Sequence, residues 1–179
     1  AYEFNFSNVI ISDVNNTNIQ SISLEAGKLN VTPKPITITA DAVTKVYGES
    51  DPELTYQITS GSLVSGDVLN GSLSRAEGED VGDYVITSTL SNANYEITFV
   101  PASLSITAKL ITITADAVTK VYGESDPELT YQITSGSLVS GDVLNGSLSR
   151  AEGEDEGDYA IASTLSNANY EITFVPASL

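Results

Sequence analysis

Acidic residues stand in two short clusters of the sequence, where their carboxylates are suited to binding calcium. The first cluster holds Asp51 and Glu53, and the second holds Glu79, Asp80 and Asp83. Calcium takes six to eight oxygen ligands at roughly 2.3–2.6 Å, mainly from carboxylates and loop carbonyls. The candidate metal ligands are these five acids and their counterparts Asp126, Glu128, Glu154, Asp155 and Asp158. No EF-hand spacing is present, which favours the alternative that they are solvated loop acids that keep the protein soluble.

The sequence contains no histidine, which excludes the usual catalytic triads and the commonest metal ligand. Paired carboxylates can cleave glycosides. That reaction needs a substrate cleft, however, and the sequence repeats every 75 residues, which leaves little room for one. We therefore expect a protein that is not an enzyme and needs no cofactor, with calcium as the one candidate.

Two copies of one sequence make up most of the chain. Residues 36–104 and 111–179 align without a gap and differ at three of 69 positions. Near-identical tandem copies are typical of arrays that need length or copy number. The differing pairs are Val81 and Glu156, Val85 and Ala160, and Thr87 and Ala162.

Each copy has the alternating pattern of short β-strands separated by Gly, Asn, Asp and Ser. The differing positions are all odd-numbered in the first copy, so they share one face of a strand. This predicts a strand over residues 83–90, with Tyr84 and Ile86 facing the core and residues 85 and 87 facing solvent. The predicted core of the first copy is Ile36, Ile38, Leu54, Tyr56, Ile58, Leu63, Leu69, Leu73, Tyr84, Ile86, Leu90, Tyr95, Ile97, Phe99, Leu104 and Ile106.

The predicted fold class is all-β, with small tandem domains of about 75 residues built as an Ig-like sandwich or a β-grasp-like sheet. Residues 35–109 form the first repeat, and residues 110–179 form the second, whose last strand is truncated. Residues 29–34 resemble residues 104–109, so residues 1–34 are interpreted as the last strands of a preceding, divergent domain. Linkers of one or two residues, at Lys34-Pro35 and Lys109-Leu110, predict domains arranged end to end as an elongated rod.

The interior lysines, Lys45 and Lys120, allow two interpretations. A lysine that faces an asparagine, here Asn92 or Asn94, can form an isopeptide crosslink when an acid lies nearby. The favoured alternative is that the lysine stem covers a neighbouring strand while its ammonium group pairs with a carboxylate.

The tyrosines also allow two interpretations. Tyr47, Tyr56, Tyr84 and Tyr95 could form an aromatic platform for a sugar. Their alternation with polar residues favours core packing for most of them, and Tyr47, beside Gly48, is the one expected to be exposed.

The composition restricts the partners. There is no cysteine, so neither a disulfide nor a thiolate metal site can form. A net charge of −17 repels phosphate backbones and anionic lipid surfaces. We therefore expect no nucleic-acid partner and no direct membrane contact, and the fragment is predicted to be a monomer whose main partners are neighbouring repeats of its own chain.

Several separated motifs of each copy resemble the MBG-type repeats of bacterial cell-surface proteins and adhesins. In the first copy they lie at residues 36–40, 45–56, 60–67, 78–84 and 94–100, and they recur in the second copy. The resemblance implies exposed tandem modules at the bacterial cell surface, used as stalk or adhesive segments. It implies no catalytic residue and no particular ligand.

The resulting hypothesis is a structural stalk, a spacer segment of a bacterial surface adhesin that projects a distal binding domain from the cell. The alternative is that each repeat binds a glycan or a host surface protein weakly and that tandem copies act by avidity.

Overall fold

The structure, a computed structural model, describes residues 2–3 and 28–179. Strand β1 (Tyr2–Glu3) pairs antiparallel with β2 (Lys28–Leu29). The predicted divergent domain at residues 1–34 thus lies mostly outside the described residues, and its assignment stays a prediction. The described residues contain strands and no helix, so the all-β prediction is confirmed.

The first repeat contains seven strands in two sheets. They are β3 (Lys34–Ala40), β4 (Val43–Val46), β5 (Tyr56–Ser60), β6 (Leu73–Arg75), β7 (Gly82–Ser88), β8 (Tyr95–Val100) and β9 (Ser103–Thr107). One sheet has the order β5-β3-β8, and the other has the order β4-β9-β7-β6. The chain passes from the first sheet to the second three times, from β3 to β4, from β5 to β6 and from β8 to β9. The first and the last of these connections are only two residues long.

Two of the strand pairs are parallel, and the others in this repeat are antiparallel. Strand β3 lies parallel to β8, and β4 lies parallel to β9. An Ig-like sandwich is built from antiparallel sheets, so this mixed pairing is a different arrangement from that option. The parallel pairs place the end of β9 beside the end of β4, and both ends lie where the next repeat begins.

The core follows the alternation of the strands. Ile36 and Ile38 on β3 pack with Tyr95, and Ile86, Leu104 and Ile106 are also buried. The predicted strand over residues 83–90 is confirmed as β7, although it ends two residues earlier, at Ser88. Ile86 is buried and Val85 and Thr87 are exposed, so the copies differ where burial does not constrain the side chain.

The second repeat reproduces the first sheet and only part of the second. Its strands are β10 (Lys109–Ala115), β11 (Tyr131–Ser135), β12 (Leu148–Arg150), β13 (Ile161–Ser163) and β14 (Tyr170–Val175). The three-stranded sheet β11-β10-β14 has the register of its counterpart. Residues 118–121, which are the counterpart of β4, form no strand.

Candidate functional site: the junction between the repeats

The junction has a very short connection. Strand β9 ends at Thr107 and β10 begins at Lys109, so Ala108 alone separates the last strand of the first repeat from the first strand of the second. Strand β10 then runs parallel to β14, which brings Lys109 opposite Tyr170. The end of the first repeat therefore lies beside the start of β14 in the second repeat.

The second repeat presents a polar and aromatic pocket at this end, which we call the second socket (Val139, Asp142, Asn169 and Tyr170). Tyr170 forms its floor and is only 7% exposed. The Tyr170 hydroxyl accepts a hydrogen bond from the Val139 N–H (2.7 Å) and donates one to Asp142 Oδ2. Asn167 Oδ1 accepts the Asn169 N–H at 2.9 Å and so fixes the turn that carries Asn169.

Two loops of the first repeat enter this socket. We call these two loops the first knob (Tyr47, Gly48, Asp80 and Val81). The Tyr47 ring meets the Tyr170 ring edge to face, with centroids 5.5 Å apart and planes at 75°. Such pairs are favoured because the positive edge of one ring meets the negative face of the other. Tyr47 was predicted to be exposed, and it is instead half-buried against the core of the second repeat.

Gly48 is required at its position for two reasons. Its φ of 82° lies in the left-handed region, which favours glycine. A Cβ added to Gly48 would also overlap Val139 Cγ2 of the second repeat. The Tyr-Gly pair therefore combines a large ring with a backbone that approaches its neighbour closely.

Asn169 joins the socket to the other loop of the first knob. Its Oδ1 accepts the Val81 N–H at 2.9 Å, and its Nδ2 donates to Asp80 Oδ1 at 2.8 Å. A single amide thus satisfies one donor and one acceptor of the opposite repeat. This pairing fixes the rotation of the repeats more strictly than apolar packing alone, because hydrogen bonds are directional.

The environment of the junction changes the acidity of both tyrosines. Burial, followed by the Asp142 carboxylate, raises the pKa of Tyr170 to about 12. The same carboxylate is the main cause that raises the pKa of Tyr47. Both tyrosines therefore lose their protons at a higher pH than an ordinary tyrosine does.

Four charged side chains lie next to the two loops of the first knob. We call them the ion-pair cluster (Lys45, Asp51, Arg75 and Glu79). Lys45 Nζ, on β4, lies 2.7 Å from Asp51 Oδ1 and 2.6 Å from Glu79 Oε2. Arg75 Nε, on β6, lies 2.7 Å from Asp51 Oδ2, and its Nη2 contacts Glu79 as well. Asp51 closes the loop that starts at Tyr47, and Glu79 precedes Asp80, so the cluster fixes both loops of the knob.

An aromatic ring and a glycine complete this support. The Arg75 guanidinium lies 5.2 Å from the centroid of the Tyr84 ring, a cation–π distance. The Tyr84 hydroxyl donates to the Asp80 carbonyl at 2.7 Å. A Cβ at Gly78 would overlap the Tyr84 ring. Tyr84 thus connects the ion-pair cluster to the backbone of the knob residue Asp80.

The cluster holds its members in their charged forms. Arg75, followed by Lys45, lowers the pKa of Asp51 to about 2, and Asp51, followed by Glu79, raises the pKa of Lys45. Forming an isopeptide bond requires an uncharged amine as nucleophile, so these shifts oppose a crosslink. Pairing of Lys45 with a carboxylate, the favoured interpretation of the sequence, is confirmed.

The predicted calcium ligands occupy different environments. Asp51 and Glu79 lie in the ion-pair cluster, and their counterparts Asp126 and Glu154 pair in the same way with Lys120 and Arg150. Asp80 binds Asn169. The remaining candidates are exposed, namely Glu53, Asp83, Glu128, Asp155 and Asp158. Within residues 2–3 and 28–179 no three His, Cys, Asp or Glu residues form a group that could hold a metal ion, and calcium stays a prediction.

Three functional residues were missed from the sequence, namely Arg75, Arg150 and Asn169. Arg75 and Arg150 are the only arginines of the chain, one in each acidic repeat, which was a usable signal for an ion-pair network. Asn169 gave no such signal, because its counterpart Asn94 has the same sequence context. Asn169 differs from Asn94 only in that it lies against another repeat.

Comparison with protein families gives one decisive match. The model of the MBG domain (YGX type) matches residues 36–105 and again residues 111–179. This chain belongs to the MBG family. It carries Tyr-Gly-Glu at residues 47–49 and 122–124, in keeping with the YGX type, and the Tyr-Gly pair is the centre of each knob.

MBG domains form a family of repeat domains that is not an enzyme family, and membership is consistent with a repeat segment of a surface protein. No curated protein and no solved structure matched the chain. Among the residues that the structure describes, no helix has the length and apolarity to cross a membrane.

Proposed function

We propose that this chain is a stalk segment of a bacterial surface adhesin, in which docked MBG repeats hold a distal binding domain away from the cell. The observation that supports this most is Tyr47 of the first repeat seated on Tyr170 of the second. A spacer needs a fixed angle between its units, and this contact provides one in addition to the covalent link.

The covalent link and the docked contact act together. Ala108 leaves one residue of free chain, but a single residue still has two soft backbone dihedrals. The Tyr47 ring and the two Asn169 hydrogen bonds lie to one side of that link. Because the repeats touch at the link and at the docked contact, a hinge motion at Ala108 has to break the contact.

The surface charge suits parallel stalks. The chain carries 24 acidic and seven basic residues, and four of the seven are used in the two ion-pair clusters. Like-charged surfaces repel one another within about 8 Å at physiological ionic strength. Neighbouring stalks are therefore kept apart along their sides.

Small-angle X-ray scattering tests this proposal, with the chain measured in calcium and then in EDTA. A stalk predicts an elongated particle in both buffers. Tyr47→Ala should broaden the distribution of distances between the repeats, and Tyr122→Ala, at the exposed counterpart, should leave it unchanged. A compact particle, or equal effects of the two variants, would contradict the proposal. Bending in EDTA alone would place a cation at the junction.

A binding measurement separates the stalk from an adhesive module. A spacer should show no saturable binding to glycans or matrix proteins. An adhesive repeat should gain apparent affinity steeply between one repeat and two, because the second binding event becomes intramolecular.

A further inference from the structure

The first repeat carries a socket of its own, and it is already formed. This first socket (Val64, Asp67, Asn94 and Tyr95) has the same residues as the second. The Tyr95 hydroxyl accepts the Val64 N–H at 2.8 Å and donates to Asp67 Oδ2 at 2.6 Å, as in the second socket. The floor therefore has its binding geometry although no described residue takes the place that Tyr47 has in the second socket, so docking costs it little ordering entropy.

The first socket is open within the described part of the chain. It borders a cleft of about 510 Å³, which Val31, Thr32 and Pro33 line from the other side. Val64 is 56% exposed, whereas its counterpart Val139 is half-buried against Gly48. Among the described residues no ring occupies the place that Tyr47 takes in the second socket.

The second repeat carries the matching second knob (Tyr122, Gly123, Asp155 and Glu156). Tyr122 is 75% exposed, the most exposed large apolar side chain among the described residues. Gly123 has φ 85°, close to that of Gly48, and nothing lies within 4 Å of a Cβ added there. The ion-pair cluster beneath the knob is also repeated, with Lys120 2.6 Å from both Asp126 and Glu154.

We propose that the second knob of one copy of this chain docks into the first socket of a second copy. The occupant is the Tyr122-Gly123 loop, because the identical Tyr-Gly pair fills the identical socket at the junction inside the chain. Tyr122 would stack edge-on against Tyr95, and Asn94 would bond the Asp155 carboxylate and the Glu156 N–H. The contact joins two different surfaces of the chain, so it is heterologous, and contacts of this kind can propagate head to tail.

Charge makes this docking weak and gives it a signature. Glu156 is the counterpart of Val81, whose backbone N–H donates a hydrogen bond at the junction inside the chain. Glu156 has the same backbone N–H and carries a carboxylate in addition. Asp67 lies in the first socket, and each whole chain carries a net charge of −17. Both charges oppose the approach of Glu156. Screening of this repulsion by salt should strengthen the association. An adventitious contact between opposite charges would weaken in salt.

Two variants allow a single docking event to be measured. A ¹⁵N-labelled Tyr122→Ala chain keeps only the socket, and an unlabelled Asn94→Asp chain keeps only the knob, since its new carboxylate would face Asp155. Both sites are exposed, so neither change disturbs the core. Adding the second chain to the first should shift the amide signals of Val64, Asp67, Asn94 and Tyr95 in a saturable manner. Saturation should be reached at a lower concentration of the second chain in high salt than in low salt.

The control is an unlabelled chain with both changes, which should bind about tenfold more weakly or not at all. Shifts that are equally large with this control, shifts away from the socket, or no shifts up to the solubility limit would overturn the proposal. The inference rests on the same docking chemistry as the stalk, yet the two fail separately. Loss of order between the repeats of one chain is measured by small-angle X-ray scattering of dilute protein. Docking between two chains is measured by the NMR titration.

Discussion

The two repeats have nearly the same sequence, yet their ends lie in different surroundings. Tyr47 is packed on the second repeat, whereas Tyr122 is 75% exposed. Asn169 bonds the opposite repeat, whereas Asn94 is exposed. The interiors do not differ in this way, since Ile38 and Ile113 are both 0% exposed. The sequence of a repeat determines its interior, and the neighbouring repeat determines the state of its ends.

A second difference concerns the second sheet. In the first repeat, β4 pairs with β9 and the Tyr47 N–H donates to the Thr107 carbonyl at 2.8 Å. In the second repeat, residues 118–121 form no strand, and the Lys120 side chain is 11% exposed against 3% for Lys45. The ion-pair cluster nevertheless keeps its distances. The ion-pair cluster therefore forms without the full four-stranded sheet that the first repeat has.

The largest effect should come from the shared interior. Ile38→Ala and Ile113→Ala each remove a fully buried side chain, which should cost the affected repeat about 2–5 kcal/mol. Chemical denaturation followed by NMR signals of each repeat would measure this. The two losses should be similar, because both residues lie in three-stranded sheets of the same register, and a large difference between them would contradict the equivalence of these two sheets.

The next effect should distinguish the two Tyr-Gly pairs. Gly48→Ala and Gly123→Ala introduce the same strain at positive φ, about 1–2 kcal/mol. Gly48→Ala also overlaps Val139, so it alone should disturb the other repeat. Amide shifts at Val139 and Asn169 would report this. Equal responses to the two variants would remove the case for a docked Gly48.

A smaller effect should appear in alkali. The pKa of Tyr170 is raised to about 12, so the stabilisation from its neutral form is complete below pH 10 and is lost as the pH rises through 12. Tyr47→Ala uncovers Tyr170 and should lower its pKa towards that of Tyr95. NMR titration of the tyrosine rings measures both. An unchanged Tyr170 pKa in the variant would mean that Tyr47 does not cover it.

The smallest effect should appear in acid and should be equal in both repeats. The folded pKa of Asp51 and of Asp126 is about 2, against an ordinary value of 3.8. Their contribution is therefore present above about pH 4 and lost as the pH falls through 2. Asp51→Asn with Asp126→Asn should flatten the fall in the denaturation midpoint over this range. An unchanged slope would show that the clusters do not stabilise the fold.

The sequence allowed the strands and the core to be predicted because alternation reports burial directly. Ile36, Ile38 and Ile86 were placed correctly for this reason. The salt bridge of Lys45 was also expected, because a lone lysine among acids has few other partners. The docking of Tyr47 was not expected, since a Tyr-Gly pair in a loop has the same local pattern whether it is exposed or covered. What covers it lies 123 residues away, at Tyr170, and no local pattern carries that information.

The most direct test of the docked junction is the alignment of the two repeats in solution, measured by residual dipolar couplings of the backbone amides. A docked pair predicts that one alignment tensor fits both repeats in the unmodified chain and in Tyr122→Ala, and that two tensors of different magnitude are needed in Tyr47→Ala. Two independent tensors in the unmodified chain would contradict the account.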